Sequence, residues 1–364
     1  MSKAEYKRLG DYIRPIDVRN RDLKINLSQG ICNAKYFQNP KQVADNPQTH
    51  KVVRTGQFAY NRATTRNGEK ISIALREGPD CTVSSAYQVF EVIDENLLNP
   101  KYLMMWFKRP EFDRLAIYYS HGSAHEFFEW DAMCDVMLPI PSITRQREIV
   151  SEYETLSNRI HLNNQMIQHL ETTAQALYRK TFVNNIDKEN LPEGWRMGKL
   201  GEVANIKAGG DKPIAFSEVQ TEKFNVPVYA NGIDNKGIFG FTTKPVITTK
   251  SITISARETI GYCFLRKQPY VPIVRLIVVI PHDENVTQYL YYYLNNSNIK
   301  GSGSVQSQLT VPDMESRNIV IPPTMLIREI NKQVEIIDNS ISFCEKENEK
   351  LIELQSLLLA KMGQ

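Results

Sequence analysis

The chain has 364 residues, long enough for two domains of ordinary size, and its 41% apolar and 23% charged residues exclude a disordered chain. A net charge of +3 means that any nucleic-acid surface must arise from local clustering and not from bulk charge. Five scattered cysteines, Cys32, Cys81, Cys134, Cys263 and Cys344, form no CxxC pair and have no histidines at zinc spacing, so they read as reduced thiols, most of them core filler.

In chain order, Met1 to Arg14 alternates charged and apolar residues without an apolar h-region, and the longest aliphatic run is Leu276 to Ile280. The expectation is a soluble, cytoplasmic protein without a membrane segment. Strand-like runs follow at Ile71 to Leu75 and Ala86 to Val92, then a helical stretch from Lys101 to Tyr119 interrupted near Pro110. Leu138-Pro139-Ile140-Pro141 is a proline-containing stop. From Ile149 a strict 4-3 spacing runs through Tyr153, Leu156, Ile160, Asn163, Ile167, Leu170, Ala174 and Leu177, a heptad seam sustained for four heptads. The segment Asn184 to Gly194 reads as a linker. Beyond it come strand-like Val246 to Ile254 and Val274 to Ile280, helical Val286 to Leu294, and a second stop at Ile321-Pro322-Pro323. A second seam closes the order, at Ile330, Val334, Ile337, Ile341, Cys344, Asn348, Leu351, Gln355 and Leu358.

The two halves are copies. Gly122-Ser123 pairs with Gly303-Ser304, Met133 with Met314, Ile140-Pro141 with Ile321-Pro322 and Arg147-Glu148-Ile149 with Arg328-Glu329-Ile330, all at one offset of 181 that continues to Lys180 and Lys361. Weaker echoes join Leu9-Gly10-Asp11 to Leu200-Gly201-Glu202 and Tyr102-Leu103 to Tyr289-Leu290, at offsets of 191 and 187. Pairing the two long helices with each other, antiparallel, satisfies both apolar stripes, and Asn163, Asn348 and Gln355 would then fix their register. The alternative is that each helix packs on its own domain. The first helix, Arg145 to Phe182, would span ~57 Å at 1.5 Å per residue, which sets the expected scale of separation between the domains.

A Leu-Gly-Asp/Glu opening, a variable domain, a Gly-Ser segment, an Ile-Pro stop followed by Arg-Glu-Ile, and a long helix, all present twice, resemble type I restriction specificity subunits. The resemblance covers essentially the whole chain. Ile252-Thr253-Ile254-Ser255-Ala256-Arg257 with Ile260-Gly261 is similar to a segment common in that family's target-recognition domains. The first domain offers Tyr60 to Gly68 there instead, and Arg145-Gln146-Arg147 and Ile327-Arg328 stand where the family usually has Glu-Gln. The fold class implied is α+β: two mixed α/β target-recognition domains separated by a long antiparallel two-helix coiled coil, with an internal pseudo-twofold repeat. The boundaries expected are 1–141 for the first recognition domain, 142–185 for the first helix, 186–322 for the second domain and 323–364 for the second helix. The resemblance implies a non-catalytic subunit that reads a two-part site on double-stranded DNA and docks two methyltransferase subunits together with restriction/translocase subunits. It also implies that S-adenosylmethionine, ATP and Mg2+ reside on those partners and no cofactor on this chain.

Contacts to phosphates need Arg or Lys beside small polar residues, and contacts to bases need Arg, Lys, Asn or Gln on a presented loop. In the first domain Asn61, Arg62, Thr64, Thr65, Arg66 and Asn67, followed by Lys70, meet that description, with an ordinary solvated loop as the alternative. In the second, Lys250, Ser255 and Arg257 correspond, with Lys207 and Lys212 near Gly209-Gly210 as phosphate candidates. Gln306, in the segment Ser302 to Gln308, and the equivalent Gly122-Ser123-Ala124-His125 are either further DNA contacts or packing turns.

Catalytic patterns are missing. Pro79-Asp80 and Pro312-Asp313 are not followed by the Glu-x-Lys of a nuclease, no Asn/Asp-Pro-Pro-aromatic methyltransferase motif occurs, and Gly209-Gly210-Asp211-Lys212-Pro213 lacks the spacing of a P-loop. The six histidines form no HExxH or His-Cys cluster. A DNA-binding regulator without a modifying partner, and a nuclease of unrecognised chemistry, are the rival readings.

Overall fold

Apolar residues two apart in a strand share one face, so Phe58 and Tyr60 point together and Phe90 lies directly across from Phe58 on the neighbouring strand. Their rings stack at 4.9 Å and start the core of the amino-terminal half. In a computed structural model that describes residues 5–40, 46–63, 70–120, 127–184, 186–187, 189–297, 299 and 308–363, the chain divides into two units, Met1–Asn164 with Glu345–Gln364, and Gln165–Cys344. Each has its own apolar core.

In the first unit a four-stranded antiparallel sheet runs in the order Ile13–Ile16, Tyr87–Val92, Phe58–Asn61 and Ile73–Leu75. Two helices cover it, Pro100–Phe107 and Pro110–Ser120. The break between them falls at Pro110, which has no N–H to continue the first helix. Asn99 caps the first helix by accepting from the backbone N–H groups of Lys101 and Tyr102. Phe107, Phe112 and Phe128 join Phe58 and Phe90 in edge-on and tilted contacts that fill the space between helices and sheet.

The second unit has a four-stranded antiparallel sheet ordered Ala204–Ala208, Ile277–Pro281, Ser251–Ile254 and Cys263–Arg266, and a three-stranded mixed sheet ordered Ile238–Thr242, Val226–Tyr229 and Val271–Pro272, the last two strands parallel. Ser251–Ile254 is buried along its whole length because strands run on both its sides and the helix Thr287–Asn295 packs on the sheet. Two strand expectations need correction. Only Ser251–Ile254 of the run from Val246 enters the ladder, and the run from Val274 becomes a strand only at Ile277. Val274 and Arg275 have φ of 52° and 57°, a left-handed turn that cannot belong to a ladder. An aliphatic run carries no sign of such a reversal.

Both units are closed by the same clasp. Tyr6–Arg8 pairs antiparallel with Met137–Pro139, and Arg196–Lys199 with Asn318–Ile321. Next to each pair a leucine N–H donates across the join, Leu9 to the Val136 carbonyl at 2.8 Å and Leu200 to that of Arg317 at 2.9 Å. The glycine after the leucine has a steric reason: a Cβ on Gly10 would lie 2.8 Å from the Cβ of Cys134, and one on Gly201 would lie 3.3 Å from Glu315. The Tyr102 hydroxyl, pushed up to about 12 by burial and hence protonated, donates to the Pro139 carbonyl at 3.0 Å, as Tyr289 does to that of Val320. Acceptor for acceptor, the two clasps are 181 residues apart.

After each clasp comes a long helix, Ile143–Phe182 of 40 residues and Thr324–Lys361 of 38. Their outer portions run antiparallel within the first unit: Ser157 meets Gln355 at 2.7 Å while Asn163 meets Asn348 at 3.0 Å. In the second unit Ala174, Leu177, Tyr178 and Phe182 share a core with Ile327, Ile330, Val334 and Ile337. No seam residue of either helix is exposed. The two arrangements weighed from sequence both occur, because the helices pair with each other and also pack on domain residues such as Tyr289 and Tyr292, whose rings lie 5.9 and 5.6 Å from Tyr178.

Candidate nucleic-acid interface

Register decides which loops meet. Ile277 lies across from both Ala208 and Ile254, and Ile254 lies across from Cys263, so the loops next to these residues leave the second unit's sheet at one end of its strands. They carry Gly209, Gly210 and Lys212, then Ser255 and Arg257, then Val274 and Arg275. Gly209, Gly210, Asp211, Lys212, Arg257, Val274 and Arg275 line a shallow depression of ≈ 290 Å³. Gly209 is compelled there, since a Cβ would sit 2.8 Å from the backbone of Pro272 and Ile273. The Lys212 ammonium rests 3.6 Å from the centre of the Phe216 ring and 5.4 Å from that of Phe239, which holds its charge at the rim.

The residues expected to touch DNA in this unit separate into three groups. Lys212 and Arg257 are exposed and come together at the rim. Ser255 is only 2% exposed, and its hydroxyl is engaged with Thr259 at 2.9 Å and with the carbonyl of Arg257, so it shapes the loop that presents Arg257. Lys207 is exposed on the edge strand Ala204–Ala208, one residue before the rim, whereas Lys250 precedes Ser251, at the opposite end of its strand from Arg257. Sequence reasoning missed Arg275 because it was absorbed into an expected strand. Gln306 lies outside the described residues.

In the first unit Asn61 ends the strand Phe58–Asn61, and its side-chain oxygen accepts from the Ala63 N–H at 3.1 Å, an Asx-type turn. Arg62 faces Glu129 at 3.3 Å with its guanidinium 5.4 Å from the Phe127 ring centre. Lys70 is exposed, next to the buried Ile71. Thr64, Thr65, Arg66, Asn67 and the segment Gly122 to His125 lie outside the described residues. Two residues no motif pointed to brace this end. Asp113 accepts from the Ile71 N–H at 3.2 Å and pairs with the buried Lys35 ammonium at 2.8 Å. Burial pushes the Lys35 ammonium down from its ordinary value, and Asp113 opposes that shift. Among the described residues no group of His, Cys, Asp and Glu is placed to hold a metal ion, and no helix is long and apolar enough to cross a membrane.

Residues 192–355 match the family model of the type I restriction modification DNA specificity domain. A putative type I specificity subunit from Mycoplasma pneumoniae is 28% identical over 301 residues, 80% of this chain and 87% of its own length. The carboxy-terminal part of another putative type I specificity subunit from that bacterium is 37% identical over 105 residues, 29% of this chain and 70% of its own. A crystal structure of the S subunit of a type I restriction-modification system from M. genitalium superposes with a TM-score of 0.57 at 15% identity, covering 100% of this chain and 97% of that one. These similarities define a class, the components of type I restriction-modification systems. Within it the chain belongs to the family of DNA specificity subunits, the non-catalytic components that supply recognition.

Proposed function

We propose that the chain reads a two-part DNA site, one half with each unit, and carries two methyltransferase subunits together with restriction/translocase subunits. S-adenosylmethionine, ATP and Mg2+ would then be bound by those partners. The observation that carries this reading is the clasp built twice, each closing a separate domain just before a long helix. The exposed cations Lys212, Arg257 and Arg275 at one end of the sheet's strands supply what a DNA backbone and base edges require. Partner docking is supported by large apolar residues on the outer faces of the helices, Leu354 and Leu357 in the first unit, Ile336 and Phe343 in the second, all at least half exposed.

The test is a domain exchange. Replacing the first domain up to Pro139 with that of a relative, followed by mapping of methylated adenines in cells that also make the modification subunit, is expected to change one half-site and keep the other. A change in both halves, or in neither, would overturn the assignment of one half-site to each unit.

A further inference from the structure

The rim of the second unit contains a turn built to a tighter specification than a loop needs. Val274 and Arg275 are successive non-glycine residues in the left-handed region, one of them β-branched, a conformation such residues avoid unless their surroundings impose it. The surroundings here are fully determined. The Val274 N–H donates to the Gly210 carbonyl at 2.9 Å, the Arg275 N–H to that of Gly209 at 3.1 Å, and the Gly209 N–H to Leu276 at 2.8 Å. Asn231 donates to the Val274 carbonyl at 2.8 Å while its own oxygen accepts from the Ala256 N–H at 2.7 Å, tying this turn to the loop that presents Arg257. Yet the Arg275 side chain is exposed, and neither it nor Arg257 forms an ion pair among the described residues. In front of the turn Gly210 leaves open space, since a Cβ there would meet nothing within 4 Å.

We propose that Arg275 is a specificity-determining residue that reads a guanine in the half-site of the second unit, while Lys212 and Arg257 hold the flanking phosphates. The inference rests on the reading of this chain as a two-part DNA reader and deepens it. A phosphate is held by a charge on a flexible stem and asks little of direction. A base edge asks for a planar fork at a fixed angle, and the guanidinium matches O6 and N7 of guanine in the major groove. A backbone locked in a disfavoured turn serves the second requirement and is superfluous for the first.

Arg275→Lys, Arg275→Ala and Lys212→Ala, each checked for an unchanged melting temperature, separate the roles. Methylated sites are mapped in cells that make the modification subunit, and binding of the purified chain to duplexes carrying the mapped site is measured against salt. Arg275→Lys is expected to keep the salt dependence and to lose about tenfold or more of the discrimination at one base pair of one half-site, with the other half-site unchanged. Lys212→Ala is expected to weaken binding to all sequences alike and to lower the salt slope by about one. If Arg275→Ala lowers the slope while every letter of the site is kept, Arg275 is a phosphate contact and the inference is overturned, although two-part reading stands. If neither Arg275→Ala nor Lys212→Ala alters affinity, slope or letters, this rim does not meet DNA, and the reading of the second unit falls with the inference.

Discussion

The side-chain amide of the buried Asn163 donates to the amide oxygen of the half-buried Asn348 at 3.0 Å, joining two seam positions of antiparallel helices through a polar contact. Glu347 accepts from the same amide at 2.7 Å and holds Arg159 with two bonds of 3.1 and 2.9 Å. Apolar seams tolerate sliding by a turn, whereas a seam amide pair is satisfied in one register. Asn163→Leu alone is expected to cost about 1–2 kcal/mol by leaving Asn348 short of a partner. The double change Asn163→Leu with Asn348→Leu is expected to recover or exceed the original stability. Thermal unfolding of the three proteins checks the order, and a double variant less stable than the single one would contradict it.

Gln146 is fully buried and makes three bonds: its oxygen accepts from the Asn99 N–H at 2.8 Å, and its nitrogen donates to the carbonyls of Leu97 at 2.9 Å and Pro141 at 2.8 Å. The equivalent position in the second half is Ile327, also buried, so the site is interior in both copies and polar in one. Gln146→Ala should destabilise the first unit by about 3 kcal/mol, since three backbone groups lose their partner. Denaturant unfolding measures it.

Val274→Gly removes the steric cost of a β-branched residue at φ 52°. The relief of ~1–3 kcal/mol exceeds the ~0.4–1 kcal/mol lost to a freer unfolded chain, so a net gain of about 1 kcal/mol is expected. A lower melting temperature in this variant would mean that the turn is not strained.

Burial alone would raise the Glu91 carboxyl, but bonds from Gln57 at 2.7 Å and Arg14 at 2.8 Å hold it below its ordinary 4.5. A group whose folded value is depressed contributes stability above its unfolded value and loses it as pH falls through the folded one. Glu91→Gln is therefore expected to be less stable than the parent near neutrality and equal to it in strong acid. Urea titrations from about pH 7 down through the acid range check this: the gap is expected to narrow as pH falls below the ordinary value, and a gap that does not narrow would assign the loss to packing.

The long helices were legible in the sequence because a 4-3 period over four heptads has no other structural meaning, and every seam residue is sheltered. The clasp was only half legible: the Leu-Gly opening stood out as a repeat, but its strand partner lay more than a hundred residues away. The rim of the second unit was the least legible. Ser255 looked like a contact and is interior, and Arg275 looked like part of a strand and is presented. Asp113, which fixes Ile71 and Lys35, carried no signal at all, because a carboxylate three residues into a helix is most often solvated.

The clasp also explains why the repeat drifts. From Val136 onward equivalent residues are 181 apart, while the opening leucines are 191 apart and the tyrosines that bond to the clasp are 187 apart. Everything gained or lost between the copies has accumulated inside the hoop, between the leucine and its carbonyl acceptor. A chain closed this way admits an insert of almost any length without shifting the residue at which the helix begins. Recombination that exchanges the interior of one hoop for another's would leave the closure and the helical register intact, and the hoop's two ends are the natural points of crossover.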